Sequence, residues 1–253
     1  MSLTKNLVKT AFFLAGVAGL GVGLRQSLNS NLFLLQRVEV RTHRSNPPVN
    51  TQTILHLASV PVGKVSLFAV QLKDIEKRIL TLDWVRDVRI ERNLPHTLLM
   101  TVNFREPVAI VQLPKGILAY TDNEGTIFGR IHLNEIPDLP FLAGMSSDRR
   151  ERILNALRVV RHWDNSLLNP LSNLSTIHWD TEKGYRVLAS YDLSKNNPVR
   201  TMIDLGHEID ETLDEKLQRL LEVFHYLSGK SIAARQIWVD AGRKVVVKTA
   251  HGS

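Results

Sequence analysis

The side chains best suited to chemistry are scattered along this chain of 253 residues, and no motif brings them together. None of the nine histidines stands in an HxH or HExxH pair, the spacings that place two imidazoles on one metal ion. Cysteine is absent, so neither a thiolate nucleophile nor a thiolate-bound metal can form. The sequence therefore predicts that the protein is not an enzyme and holds no metal or cofactor.

One partial phosphate-binding motif and several acid pairs also favour structural interpretations. Ser228-Gly229-Lys230-Ser231 resembles the end of a phosphate loop, but Phe224 stands where that motif needs its first glycine. The segment also follows a predicted helix instead of preceding one, which indicates a turn that ends the helix. Neighbouring carboxylates such as Asp210 and Glu211 are typical of helix starts and turns.

The strongest local signal is an apolar run near the N-terminus. Residues 7–24 read LVKTAFFLAGVAGLGVGL and contain one charge, Lys9. As a helix this run would be about 27 Å long, close to the thickness of a bilayer's hydrocarbon core. We therefore expect a transmembrane helix at 7–24. Lys5 and Lys9 lie at its start, and this bias of positive charge places the tail at 1–6 in the cytoplasm. A cleaved signal peptide and a buried helix are the alternatives.

Small residues recur every four positions in the same run and share one helix face: Ala11, Ala15, Gly19 and Gly23. Such a stripe lets two helices approach closely inside a membrane, so it predicts a packing surface. The alternative is that glycine and alanine are simply common in membrane segments.

The basic charge of the chain gives little support for nucleic-acid binding. Of the net charge of +7, three units lie in residues 1–30, which leaves +4 for the remainder. That remainder has no stripe of Lys and Arg with interleaved aromatic residues, so we expect no nucleic-acid partner.

After a linker at 25–34, residues 35–106 predict a first α+β unit with the order β-α-α-β-β. Its fourth element has an apolar face with a spacing of two and a charged opposite face. The apolar face contains Trp84, Val88 and Ile90, and the opposite face Val85, Asp87, Arg89 and Glu91. We expect the charged face to meet water, with opposite charges paired across strands.

Residues 107–253 predict a second α+β unit, a mostly antiparallel sheet with two helices. The first helix is expected at 148–163. The second is expected after Thr212, where Thr212 and Glu215 have the spacing of a capping box. The last predicted strands are 236–241 and 244–249.

Several short runs in this order resemble the FtsQ/DivIB family of bacterial division proteins. They are Trp84-Val85, Leu94-Pro95, Arg105-Glu106-Pro107-Val108-Ala109, Tyr120-Thr121-Asp122, Gly125, Phe128 and the run from Leu139 to Gly144. The resemblance implies a POTRA domain at 35–106 and an FtsQ-type β domain at 107–253. It also implies a single-pass protein of the inner membrane at the division septum, with both domains periplasmic. Its function would be a non-enzymatic divisome scaffold; a POTRA-containing periplasmic interaction or chaperone module of an envelope transport system is the alternative.

The final predicted strand carries three adjacent valines and would offer unpaired backbone groups if it lay at a sheet edge. A partner segment could then add as a further strand. The resemblance implies that FtsB- and FtsL-type proteins dock there, that other septal proteins contact the POTRA domain, and that the anchor contacts membrane lipid. The candidate partner-binding residues are Trp238, Val239, Ala241, Gly242, Val245, Val246 and Val247. The alternative is that Val245 and Val247 are ordinary core positions and Val246 is an incidental surface residue.

Overall fold

The computed structural model describes residues 31–131, 136–145, 150–193, 197–239 and 244–250. The expected cytoplasmic tail, the transmembrane helix and its stripe of small residues lie outside these ranges. None of the helices in the described ranges is long and apolar enough to span a bilayer. The chain divides into two compact units between Arg105 and Glu106.

The first unit has the predicted β-α-α-β-β order. Its elements are β1 (Arg37–Thr42), α1 (Thr51–Ala58), α2 (Leu72–Ile79), β2 (Val85–Asn93) and β3 (Thr97–Phe104). The sheet order is β1-β3-β2, with β1 parallel and β2 antiparallel to the central β3. β3 alternates strictly, and its Leu98, Met100 and Val102 are fully buried against the helices. Burying each such side chain contributes about 1.5–3 kcal/mol.

A β-bulge at the start of β2 corrects one prediction from the alternation. The pairing with β3 shifts between Val85 and Asp87, so Arg86 is an extra residue in the strand. An extra residue reverses the side-chain alternation on one side of it. Val85 therefore faces the core and is only 2% exposed, whereas strict alternation had placed it on the charged face.

Ion pairs on the open face of this sheet run mainly along the strands. Arg89 pairs with Glu91 at 2.8 Å within β2, and Arg37 pairs with Glu39 at 3.7 Å within β1. The prediction of charge pairs across strands is wrong for these residues, because Glu39 and Glu91 both lie opposite Leu99. Exposed pairs of this kind contribute about 0–1 kcal/mol each.

The second unit contains a nine-stranded sheet and two helices within the described ranges. Its strands are β4 (Ala109–Gln112), β5 (Leu118–Thr121), β6 (Ile127–Ile131), β7 (Phe141–Ala143), β8 (Ser172–Asp180), β9 (Gly184–Asp192), β10 (Pro198–Gly206), β11 (Ala234–Trp238) and β12 (Val246–Thr249). Its helices are α3 (Arg150–Asn165) and α4 (Leu213–Gly229). The sheet order is β12-β11-β10-β9-β8-β7-β4-β5-β6, and most neighbours are antiparallel, as predicted.

Both helices cover the same face of this sheet. Trp163 from α3 and Phe224 from α4 are buried with inward-facing strand residues such as Ile177. Phe224 stacks on Tyr191 with 4.8 Å between the ring centroids. The Tyr191 hydroxyl donates to the Ile232 carbonyl at 3.0 Å, which ties β9 to the segment entering β11. The opposite face of the sheet carries neither helix.

The start of α4 differs from the predicted capping box. The Thr212 side chain makes no capping hydrogen bond. Instead, the Asp210 carboxylate accepts from the backbone N–H of Thr212 at 2.9 Å and from its hydroxyl. Thr212 already has helical backbone angles, so its hydroxyl is not directed at the first turn.

Candidate partner-binding edge

β12 forms one edge of the nine-stranded sheet. It pairs antiparallel with β11, with Val246 opposite Trp238 and Val247 opposite Ile237. Its other side meets no strand within the described residues. The outward N–H and C=O groups of β12 therefore form a template to which another extended segment can bind.

The two faces of β12 have different environments. Val245 and Val247 are partly buried and pack against the core beneath the helices, as their alternative interpretation predicted. Val246 points to the open face and is 49% exposed. An added strand would meet an apolar core on one side and an exposed valine on the other.

A groove of about 500 Å³ lies on the open face beside Val246. Trp238 and Val246 line one part of it, and Gly206 and His207 line another. Glu182 contributes to the same groove. This volume is within the range of ordinary ligand pockets, so it accommodates one or more side chains of a bound segment.

A buried polar network holds the strands beneath this groove. Arg186 on β9 donates from Nε to the Asp204 carboxylate on β10 at 2.7 Å, and Gln236 on β11 donates to the other carboxylate oxygen. Asp204 is 4% exposed, and its carbonyl accepts from the Val239 N–H at 3.1 Å. The network therefore fixes β11, the strand on which β12 depends.

The turn between β8 and β9 provides polar residues at the rim of the groove. The Asp180 carboxylate accepts from the backbone N–H groups of Glu182 at 2.8 Å and Lys183 at 3.1 Å. These hydrogen bonds, led by the one from Glu182, lower the pKa of Asp180.

Throughout the part of the chain that the structure describes, His, Asp and Glu form no group able to hold a metal ion.

The structure brings several of the predicted residues together. Trp238 and Val246 border the groove, and Val245 and Val247 pack against the core on the opposite face of the sheet. Val239 is fully buried, so its side chain supports the edge from within. Ala241 and Gly242 lie outside the described residues.

The groove also includes residues that the sequence did not single out as partner-binding: Glu182, Lys183, Asp204, Gly206 and His207. They belong to the turn between β8 and β9, to β10 and to the residue after it, and they reach the edge through the parallel pairing of β10 with β11. No local pattern in the sequence signals that pairing.

Comparison with known proteins assigns a family to each unit. Residues 33–103 match the family described as "POTRA domain, FtsQ-type". Residues 109–240 match the family described as "Cell division protein FtsQ/DivIB, C-terminal". The second match ends before β12, so the description of that strand as an edge rests on the sheet topology alone.

Curated relatives align along most of the chain. The cell division protein FtsQ of Geobacter sp. (strain M21) is 28% identical over 243 residues, covering 91% of this chain and 83% of the relative. That of Geotalea daltonii is 28% identical over 254 residues, covering 97% and 86%. That of Syntrophotalea carbinolica is 26% identical over 233 residues, covering 88% and 76%. Because both units match and the relatives cover nearly the whole length, this chain belongs to the FtsQ/DivIB family of non-enzymatic bacterial cell-division proteins.

Proposed function

We propose that this chain is a single-pass scaffold of the divisome that recruits FtsB- and FtsL-type coiled-coil proteins at the septum. In this proposal residues 1–6 are cytoplasmic, 7–24 anchor the chain in the inner membrane, and the domains at 35–106 and 107–253 are periplasmic. Membership of the FtsQ/DivIB family supports the role in division. The open edge of β12 is the observation that carries the mode of recruitment.

The partner binds as a strand added beside β12. Backbone hydrogen bonds supply affinity that depends little on the partner's sequence, at about 0.5–1.5 kcal/mol net for each bond. Partner side chains on the helix side extend the core beside Val245 and Val247. A side chain on the open face lies next to Val246 and enters the groove beside Trp238.

The positive charges on and just before β12 indicate which residue types the partner strand carries next to them. Lys248 on β12 and Lys244, two residues before the strand begins, alternate with Val246 and are exposed. No carboxylate of the described residues forms an ion pair with either lysine. Opposite charges on neighbouring strands contribute about 0.2–1 kcal/mol for each pair. The partner strand therefore carries acidic residues on either side of an apolar one along this face.

The test compares two substitutions at Val246 in the full-length chain, expressed with the FtsB- and FtsL-type proteins and purified from membranes. Val246→Thr keeps the branched shape and the backbone N–H, and we expect it to retain the partners. Val246→Pro disrupts the backbone geometry of the edge, and we expect it to lose them while the first unit stays folded. Normal recovery of the partners by the proline variant would refute the edge site, although the family assignment would stand.

A charge-reversal pair tests the chemistry of the partner strand separately. We expect Lys244→Glu together with Lys248→Glu to weaken co-purification, and lysines at the facing partner positions to restore it. Unchanged binding by the doubly reversed chain would refute the acidic character of the partner while leaving strand addition intact.

A further inference from the structure

One end of the first unit is built from three chain segments that meet where the described chain begins. We call this end the tip and define it as residues 31–38, 64–70 and 92–98. The Leu67 N–H donates to the Phe33 carbonyl at 2.7 Å, joining the first two segments. The Gln36 N–H donates to the His96 carbonyl at 2.9 Å, joining the first and third. The tip is therefore a hydrogen-bonded part of the domain.

The tip presents apolar side chains to solvent. Leu32 is 69% exposed and Leu94 is 56% exposed. Phe33 and Phe68 meet edge to face with 5.1 Å between ring centroids. The Arg92 guanidinium lies 6.0 Å from the centre of the Phe68 ring. Both leucines are more exposed than buried, and apolar side chains clustered at one end of a domain are typical of an interaction surface.

The charges of the tip have one sign. Its three segments contain Arg37, Lys64 and Arg92 and no aspartate or glutamate. The nearest acids along β1 and β2 are Glu39 and Glu91, just beyond the tip segments, and Glu39 pairs with Arg37 at 3.7 Å. Exposed leucines and aromatic rings among basic residues are typical of surfaces that enter the headgroup region of an anionic bilayer.

The connection to the proposed anchor keeps the tip close to the membrane. Only residues 25–30 separate the apolar run at 7–24 from the tip. Fully extended, that connection reaches no more than about 25 Å, and any shorter path brings the tip nearer. The apolar and basic end of the domain is thus the end tethered nearest to the lipid.

We propose that the tip docks on the anionic surface of the membrane. Leu32 and Leu94 enter the boundary between headgroups and acyl chains, and Phe33 and Phe68 pack behind them. The exposed side chains of Lys64 and Arg37 contact lipid phosphates. The Arg92 guanidinium instead donates to the Leu67 and Val70 carbonyls and holds the tip together. The proposal rests on the proposed anchor for its geometry, and its consequence is that the first unit is held at the bilayer instead of turning freely on a linker.

The absence of cysteine makes a site-specific test direct. Leu94→Cys and Leu80→Cys each introduce a single thiol for an environment-sensitive fluorophore. Leu80 is the matched control, because it is 42% exposed and precedes β2, whereas Leu94 follows that strand. The nine residues of β2, about 27 Å from end to end, lie between the two positions along the chain.

Each labelled full-length protein is reconstituted into phosphatidylcholine vesicles containing phosphatidylglycerol and lipids that carry a quencher near the headgroup. We expect the label at position 94 to emit at shorter wavelength and lose most of its fluorescence, and the label at position 80 to change little. Vesicles of phosphatidylcholine alone should reduce the effect at position 94, because the basic residues then lose their anionic partners.

Flotation of the same samples separates the two proposals. Equal quenching at positions 94 and 80 in protein that floats with the vesicles would overturn the docking and leave the anchor in place. Failure of the protein to float would overturn the anchor and the docking together.

Discussion

Arg186→Met is a quantitative test of the polar network beneath the partner-binding edge. The Asp204 side chain is 6% exposed and that of Arg186 is 20% exposed, with 2.7 Å between the paired atoms. Methionine retains most of the aliphatic stem but leaves the carboxylate with Gln236 as its remaining side-chain donor. Breaking a buried ion pair from one side costs about 3–5 kcal/mol. Because Arg186 is partly solvated, we expect the lower end, about 3 kcal/mol.

Urea unfolding of the full-length chain in mild detergent measures this cost. Trp163, Trp179 and Trp238 belong to the second unit, so their fluorescence reports mainly on that unit. Hydrogen exchange of β10 and β11 gives a second, local measurement. We also expect the single variant to bind the proposed partners more weakly, because β11 supports β12.

The double variant Arg186→Met with Asp204→Leu is the matched control. It removes both charges, so no carboxylate is left buried without its cation, and we expect most of the stability to return. The reasoning would be refuted by a cost below about 1 kcal/mol for the single variant. It would also be refuted if the double variant were less stable than Arg186→Met alone.

Two further substitutions test other parts of the second unit. Burial raises the pKa of Asp164 in α3 above its ordinary value of 3.8. The buried carboxylate therefore lowers the stability of the fold at pH values above the raised pKa, and it has no such effect below pH 3.8, where the group is protonated in both states. Asp164 also lies in the last turn of α3, where a negative charge is unfavourable. In urea titrations, Asp164→Asn should raise the free energy of unfolding by about 0.3–1 kcal/mol at pH 7 and leave it unchanged near pH 3. An equal gain at both pH values would contradict this. Gly184→Ala should cost more than about 2 kcal/mol, because its φ is +76° and a Cβ would lie 2.2 Å from the Gly206 carbonyl oxygen. Gly116→Ala is its control in thermal unfolding, with φ of +75° and no atom within 4 Å of the added carbon, and equal losses for the two variants would rule out the clash.

Local periodicity predicted the order of elements in the first unit. Leu98, Met100 and Val102 alternate with polar residues, and the structure buries all three. Alternation failed at Val85, where the bulge at Arg86 changes which face the side chain takes. A bulge depends on the register with the partner strand, and a single strand's sequence does not contain that register.

The second unit shows where sequence patterns carry too little information. β7 has only three residues, Phe141–Ala143, which is too short for a period. It nevertheless joins two parts of the sheet through parallel pairs with β4 and β8. The wrong prediction of ion pairs across strands at Glu39 and Glu91 has a similar explanation. Only the pairing of β1 and β2 with β3 places both acids opposite Leu99.

Residue patterns were enough to predict two α+β units, the apolar run at 7–24 and an apolar final strand with flanking lysines. The pairing of distant strands places β12 at the end of the sheet, Val246 beside Trp238, and Asp204 next to Gln236 beneath the groove. The physical reason is the range of the interactions. Side-chain periodicity records how each element meets a core, whereas strand order depends on backbone hydrogen bonds that are the same for almost every residue.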